Sequence, residues 1–176
     1  MEAEARTLPL PQGYVVLPGR FYAGEYPGHP DGDLARARIE GLEALGVRAF
    51  VDLTTPADGL VPYAPWLRHA VRENHPIPDV SVPRRREDAR RILDALDRHL
   101  EAGRPVYLHC WGGVGRTGLV VGCWLVRHGL PGEAALRRLA ELWQTCPKVS
   151  RKPRSPETPA QEAFVRTWRE EGEAAG

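Results

Sequence analysis

The chain has 176 residues, of which 42% are hydrophobic and 27% are charged, and its formal net charge is +1. This length and composition are typical of one globular domain with a substantial core, and they exclude disorder as the main state. The near-zero charge argues against a nucleic-acid binder, which would carry a strong basic excess.

The residues that the chain uses also indicate the kind of genome that encodes it and the cellular compartment in which it is found. Arginine far outnumbers lysine, and alanine, glycine and proline are frequent, which favours a GC-rich bacterial genome. Cys110, Cys123 and Cys146 form no CxxC pair, so neither a disulfide framework nor a zinc site is predicted, and a reducing cytoplasm suits them. Residues 1–6 are acidic, and the longest apolar stretch, 117–126, is too short to span a bilayer. We therefore expect a cytoplasmic monomer that binds neither nucleic acid nor membrane.

Strand and helix signals alternate along the chain. The first half of the chain predicts strands at 14–17 and 21–23, a helix from Asp33 that stops at Gly46, and a strand at 47–53. The second half predicts a helix from Ala89 that ends at Gly103, a strand at 105–109 and a helix at 117–128. Two more helices follow, one with Pro131 at its N1 position and one at 159–169. This alternation predicts a single α/β domain over 1–176, with a central, mostly parallel sheet flanked by helices. Residues 1–12 and 170–176 are expected to be loosely ordered.

The most informative segment runs His109-Cys110-Trp111-Gly112-Gly113-Val114-Gly115-Arg116-Thr117-Gly118, between a buried strand and a helix. Ligand sites form at such positions in α/β sheets. Three glycines permit a loop whose N–H groups all point inward, forming a nest for an oxyanion at the start of the helix. The same dipoles favour a thiolate at Cys110, and Arg116 can hold two phosphoryl oxygens bidentately. The predicted phosphate-binding residues are Trp111, Gly112, Gly113, Val114, Gly115 and Arg116.

This segment resembles the H-C-x-x-G-x-G-R-[ST] signature of the cysteine-dependent protein tyrosine phosphatase superfamily. Over roughly residues 14–169 the chain is similar to the compact dual-specificity branch, and its loop is most similar to the kinase-associated phosphatase group and its bacterial relatives. The resemblance implies a protein tyrosine phosphatase-like fold without metal or cofactor. It also implies hydrolysis of phosphate monoesters through a phosphocysteine, on phosphotyrosine and on phosphoserine or phosphothreonine as well, in proteins or small esters.

Two departures from related branches narrow the expected substrate. The tyrosine-recognition loop of the deep-pocket tyrosine phosphatases is missing, which argues against exclusive use of phosphotyrosine. Trp111 stands where lipid-phosphate phosphatases often carry lysine, which makes a phosphoinositide less suitable.

The resemblance implies that Cys110 is the nucleophile, that Arg116 binds the phosphoryl oxygens and that Asp79 is the general acid. Asp79 ends the segment His75-Pro76-Ile77-Pro78-Asp79, at the distance before Cys110 that the dual-specificity branch usually shows. The leaving oxygen must be protonated, so an acid has to lie within hydrogen-bond reach of it. Asp79 could instead be a turn residue beside Pro78. The next candidate would then be Asp88, whose place in the first turn of a helix favours capping.

Three further residues receive roles from the resemblance. Gln161 would orient the hydrolytic water, or it is an ordinary exposed helix residue. Thr117 would hydrogen-bond the cysteine sulfur and ease its departure, or it caps the following helix, and one hydroxyl can do both. His109 would order the loop from a buried position, and we do not expect it to act as a base.

Two other functions stay open from the residues alone. A phosphate-binding pseudophosphatase module would need neither the nucleophile nor the acid, and a rhodanese-like or arsenate-reductase-like enzyme would need neither Asp79 nor the Gly-x-Gly-Arg-Thr pattern. The basic clusters Arg84–Arg86 and Lys148–Arg154 either rim the pocket or are solvated surface charge. Cys123 is interpreted as a core residue, whereas Cys146 could be a resolving thiol.

Overall fold

The structure, a computed structural model, describes residues 8–170. Its strands are β1 (Gly13–Leu17), β2 (Phe21–Gly24), β3 (Ala49–Asp52), β4 (Val71–Asn74) and β5 (Val106–His109). Its helices are α1 (Gly32–Leu45), α2 (Arg86–Glu101), α3 (Arg116–Arg127), α4 (Gly132–Gln144) and α5 (Pro159–Arg166). Three short 3₁₀ turns cover Pro56–Asp58, Ala64–Trp66 and Pro147–Ser150. Among the described helices, none is long and apolar enough to cross a membrane.

The strands form one sheet in the order β1-β2-β5-β3-β4, in which only the β1–β2 pair is antiparallel. Strand β5 is central and buried at every position, as its unbroken apolar sequence predicted. Phe21, Val51 and Leu108 face a core shared with α2, α3, α4 and α5, whereas Tyr22, Phe50 and Tyr107 face α1. The predicted α/β fold, with a mostly parallel sheet flanked by helices, is thus confirmed.

Some elements differ from the sequence-based expectations at their edges. Strand β4 was not predicted, because it is an edge strand whose polar, largely exposed side chains lack an apolar alternation. Helix α2 begins at Arg86, three residues earlier than expected, and α5 ends at Arg166. Pro131 is the N-cap of α4 and not its N1 residue, which is an error of one position.

The ends of the described chain are better anchored than expected. Leu10 is 4% exposed and belongs to the α1 side of the core. The Gln12 carbonyl accepts a hydrogen bond from Glu25 N at 2.9 Å. At the other end, Glu170 pairs with Arg127 of α3. Residues 1–7 and 171–176, also expected to be loose, lie outside the described residues.

Two glycines of α3 let the C-terminal segment approach closely. A Cβ at Gly118 would lie 2.1 Å from the Ser155 hydroxyl, and one at Gly122 would lie 2.7 Å from Val165 of α5. A side chain at Gly118 would displace Ser155, and one at Gly122 would push α5 away from α3. The segment 155–161 is therefore held against the start of α3, next to the loop that follows β5.

Candidate active site

The loop between β5 and α3 curls around the Cys110 sulfur. Gly113 has a φ of +76°, and a Cβ there would meet the carbonyl carbon of Gly24 at 2.6 Å, so this position requires glycine. The Gly113 N–H donates to Cys110 Sγ at 3.3 Å. Within residues 8–170, the other N–H groups of 111–116 have no protein acceptor. The loop therefore has the free donors that an oxyanion nest needs.

Cys110 itself is 3% exposed and lies at the carboxyl end of β5, directly before the loop that leads into α3. Thr117, in the first turn of that helix, is fully buried, and its hydroxyl has no hydrogen-bond partner in the described part of the chain. It makes no capping bond, so the capping alternative is wrong. Its assistance to the departing sulfur stays a prediction.

Arg116 is 1% exposed, and its guanidinium is held from several sides. Nη2 and Nη1 donate to the two carboxylate oxygens of Asp58 at 2.9 and 3.0 Å. Nη1 also donates to the Ile77 carbonyl at 3.0 Å. Nε is buried and has no partner among residues 8–170. The side chain is thus fixed in position and keeps one unused donor, Nε, so a bidentate phosphate must take its second donor from one of the protein partners of Arg116.

Asp58 is a site residue that the sequence analysis missed. It ends the 3₁₀ turn Pro56–Asp58 after β3, where it accepts from Thr55 N at 2.7 Å, and its side chain is 3% exposed. Burial acts to raise the pKa of Asp58, but the hydrogen bonds from Arg116 and Thr55 outweigh burial and leave that pKa below its ordinary value. Asp58 is therefore an ionised carboxylate that positions Arg116.

Asp79 also reaches Arg116, with Oδ1 3.1 Å from Nη2, but its side chain is 51% exposed. The same oxygen accepts from Val80 N at 2.9 Å. Val80 has a φ of +56°, a strained conformation for a β-branched residue. The predicted general acid therefore lies beside the loop between β5 and α3 (the phosphate loop, residues 110–116) and is open to solvent. Asp88 instead pairs with Arg85 at 3.0 Å in the first turn of α2.

His109 is fully buried beneath the loop, and burial lowers its pKa to about 4. Its Nδ1 lies 3.1 Å from the Cys110 carbonyl, which can only accept a hydrogen bond, so Nδ1 carries the proton. Nε2 then accepts from the Tyr63 hydroxyl at 2.6 Å. Both ring nitrogens are engaged, which suits a neutral histidine that orders the loop and leaves no free base.

Gln161 is fully buried, so its interpretation as an exposed helix residue is wrong. Its Oε1 accepts from Glu157 N and Thr158 N at 3.0 and 3.1 Å, and its Nε2 donates to the Ser81 carbonyl at 3.0 Å. A Cβ at Gly115 would lie 2.9 Å from Nε2, so the amide touches the phosphate loop. The orientation of water by Gln161 stays a prediction.

The basic clusters divide between structural and site-facing residues. Arg86 packs over the Trp168 ring at 4.9 Å, and Arg85 forms an ion pair with Asp88. Both arginines are therefore engaged with residues of their own part of the surface. Lys148 of the second cluster instead donates from Nζ to the Gly112 carbonyl at 2.7 Å. Cys146, the candidate resolving thiol, contacts Gln12 at 3.8 Å.

Comparisons with known proteins find one matching family and several relatives. Residues 32–130, more than half of the chain, match the family described as polymorphic toxin system, DSP-PTPase phosphatase. The chain is 36% identical over 92 residues to "Putative tyrosine phosphatase 067L" of Invertebrate iridescent virus 3. The matched segments span only 38% and 54% of the lengths of this protein and of an uncharacterized Methanocaldococcus jannaschii relative.

Solved structures show the same fold. Kinase associated phosphatase superposes with a TM-score of 0.71 at 18% identity, covering 91% of this chain and 93% of its own. The active form of Tk-PTP superposes with a TM-score of 0.68 at 25% identity, covering 89% of this chain and 95% of its own. The resemblance in the loop sequence therefore extends to the architecture of most of the chain.

Proposed function

Since this chain belongs to the DSP-PTPase phosphatase family of polymorphic toxin systems, we propose that it hydrolyses phosphate monoesters through a phosphocysteine intermediate. One observation carries the proposal. The Cys110 sulfur lies in a C-x5-R loop that has free N–H donors, and Arg116 is held at the end of that loop by Asp58. A nucleophile beside an anion nest is the arrangement that phosphoryl transfer to cysteine requires.

In the first step, the Cys110 thiolate attacks phosphorus and the bond to the leaving oxygen breaks. The loop N–H groups and Arg116 stabilise the charge on the equatorial oxygens. Asp79 donates its proton to the leaving oxygen, and its exposure allows it to reach an ester that enters from solvent. Phosphate bound at Arg116 competes with Asp79 for Nη2, which releases the carboxyl group for this task.

In the second step, water attacks phosphorus, the phosphorus–sulfur bond breaks and inorganic phosphate leaves. Asp79, now ionised, accepts a proton from the water, and Gln161 orients that water. The buried Thr117 hydroxyl donates a hydrogen bond to the departing sulfur. His109 keeps the loop in shape throughout. None of these steps uses a metal or a cofactor.

The proposed substrates are phosphotyrosine and also phosphoserine or phosphothreonine, in a protein or a small ester. Trp111 and Val80 follow Cys110 and Asp79 directly and are 59% and 58% exposed, so apolar side chains border the site on two sides. Such a border suits an aromatic leaving group. We further propose a single, monomeric phosphatase domain in the cytoplasm, where its three free cysteines stay reduced, with neither nucleic acid nor membrane as a partner.

The test is p-nitrophenyl phosphate hydrolysis with EDTA present, from about pH 5 to 8, followed by acid quenching and peptide mass analysis. We expect turnover in EDTA and phosphate on the peptide that contains Cys110. Phosphate binding without turnover would favour the pseudophosphatase module instead. Thiosulfate turnover without phosphatase activity would favour a rhodanese-like enzyme.

Replacing Asp79 by alanine should slow the first step according to the basicity of the leaving group. Alkyl and phenyl phosphates, whose leaving oxygens need a proton, should lose about 100-fold or more in kcat/KM. Aryl phosphates with strongly acidic phenols should lose far less. The measurement is kcat/KM over a series of aryl and alkyl phosphates, with Asp88→Ala as the matched control. An unchanged leaving-group dependence in Asp79→Ala would mean that Asp79 is not the acid.

A further inference from the structure

Lys148 reaches the phosphate loop from outside. It is one of only two lysines in the chain, in the 3₁₀ turn Pro147–Ser150 that follows α4. Its ammonium donates to the Gly112 carbonyl at 2.7 Å. Within residues 8–170, Lys148 forms no ion pair, although Glu25 is near enough to feel its charge. An ammonium committed to a neutral carbonyl differs from an ordinary solvated surface charge.

The contacted carbonyl belongs to the peptide unit that serves the nucleophile. The Gly112 C=O and the Gly113 N–H share one planar trans peptide, so they point in opposite directions. That N–H donates to Cys110 Sγ at 3.3 Å. One peptide unit therefore connects the Lys148 ammonium to the sulfur, with the negative end of its dipole at the ammonium and the positive end at Cys110.

A peptide between two glycines needs an external restraint. Neither Gly112 nor Gly113 has a Cβ that would resist rotation of the shared peptide, and Gly113 already occupies the left-handed region at a φ of +76°. Rotation would turn the carbonyl toward the sulfur and the phosphate, where it would repel both. The hydrogen bond from Lys148 opposes that rotation.

We propose that Lys148 is a positioning residue of the active site, which holds the Gly112–Gly113 peptide with its N–H inward and polarises it toward Cys110. The ammonium attracts the carbonyl electrons, so the N–H becomes a stronger donor to a thiolate and to phosphoryl oxygens. The effect on turnover rests on the proposed function, whereas the effect on the thiolate does not.

Other charged and titratable groups surround this pair, and the test must leave them in place. On the Lys148 side, Glu25 interacts electrostatically with Lys148, Arg38 and Arg151, and Cys146 interacts with Lys148 and Glu25. Burial raises the pKa of Glu25, against the opposing charges of Arg38 and Lys148. The groups that interact with Cys110 are Tyr14, Tyr107 and Arg116. None of them contacts the Gly112 carbonyl, so substitution of Lys148 removes one defined interaction.

The direct test is the pH dependence of Cys110 alkylation by iodoacetamide, followed by mass analysis of its peptide. In Lys148→Met, the pH of half-maximal alkylation should rise by about one unit. Lys148→Arg keeps the charge and a donor, so its alkylation profile should stay close to that of the wild type. Lys152→Met is the matched control, because Lys152 is 53% exposed and pairs with Glu157 at 3.2 Å. Its alkylation profile should equal that of the wild type.

An alkylation profile in folded Lys148→Met that equals the wild type would overturn the inference. Thermal unfolding, and continued protection of the buried Cys123, report whether the variant is folded. If Lys148→Met does not fold, Lys148→Gln is measured in the same way, because its amide can still donate to Gly112. Alkylation needs no turnover, so a shifted profile in a chain without phosphatase activity would retain the inference and reject the proposed function.

Discussion

Cys110→Ser is expected to lose phosphatase activity by on the order of 10⁴-fold or more and still to bind inorganic phosphate or vanadate. A serine hydroxyl stays protonated near neutral pH and needs a base, whereas a thiolate does not. The nearest imidazole, His109, has both ring nitrogens engaged by the Cys110 carbonyl and Tyr63. Binding should survive, because Arg116 and its contact with Asp58 are untouched.

The measurement pairs p-nitrophenyl phosphate turnover with calorimetric titration of phosphate into the same preparation. Cys146→Ala is the control for a second thiol, and in reducing buffer it should turn over like the wild type. Substantial turnover by Cys110→Ser would rule out covalent catalysis at that sulfur. Loss of phosphate binding together with turnover would mean that the substitution disturbs the loop, and Cys110→Ala would then be titrated instead.

The parts of the site that could be predicted from the sequence are those that are local in the chain. Cys110, Arg116 and the glycines between them lie in one segment, and the strand before and the helix after it are strongly patterned. Asp79 could be placed by its distance from Cys110 in the family resemblance. Each of these inferences needs only neighbouring residues or a fixed spacing, which a single sequence contains.

The residues that were missed or misread depend on tertiary contacts. Asp58 lies in a Pro-Ala-Asp-Gly segment that is typical of a turn. Only the parallel pairing of β3 with β5 in the sheet brings it to Arg116. Gln161 could not be told from a surface residue, because its burial arises from glycines of α3 that let α5 approach. For Lys148 the sequence left open whether its cluster rims the pocket or is solvated surface charge, since nothing in its neighbours in sequence points to Gly112.

Asp58→Ala is the second substitution from which we expect a large effect, on stability and on activity together. Removing one partner of a buried ion pair costs about 3–5 kcal/mol in the free energy of unfolding when the other charge is left unpaired. Because Asp79 still lies 3.1 Å from Arg116 Nη2, we expect the lower end of this range, about 3 kcal/mol. Here the exposed fractions are 1% for Arg116 and 3% for Asp58. Asp79 would become the remaining carboxylate at Arg116, and a tighter pair between them would hold the acid away from the leaving group. We expect kcat/KM to fall by about 100-fold.

Asp58→Asn removes the charge and one of the two acceptor oxygens that face Arg116, and keeps the other. The amide oxygen can still accept from Arg116, so its loss of activity should be smaller than that of Asp58→Ala. Arg116 keeps the pKa of Asp58 below its ordinary value. The ionised carboxylate therefore stabilises the fold fully at pH values above the ordinary pKa of an aspartate, and this contribution is lost as the pH falls through the lowered pKa of the folded state. The unfolding free energies of wild type and Asp58→Asn should therefore differ most near neutral pH and converge below about pH 4.

Urea unfolding at several pH values, combined with kcat/KM on p-nitrophenyl phosphate, tests this role. Asp88→Asn is the control, since that carboxylate lies in an exposed pair with Arg85 and should change neither quantity by much. If Asp58→Asn and Asp58→Ala kept wild-type turnover, Arg116 would be positioned by the backbone of Ile77 and by Asp79 alone. The reverse result, an inactive and folded Asp58→Ala, would show that orientation of the guanidinium limits phosphate transfer in this site.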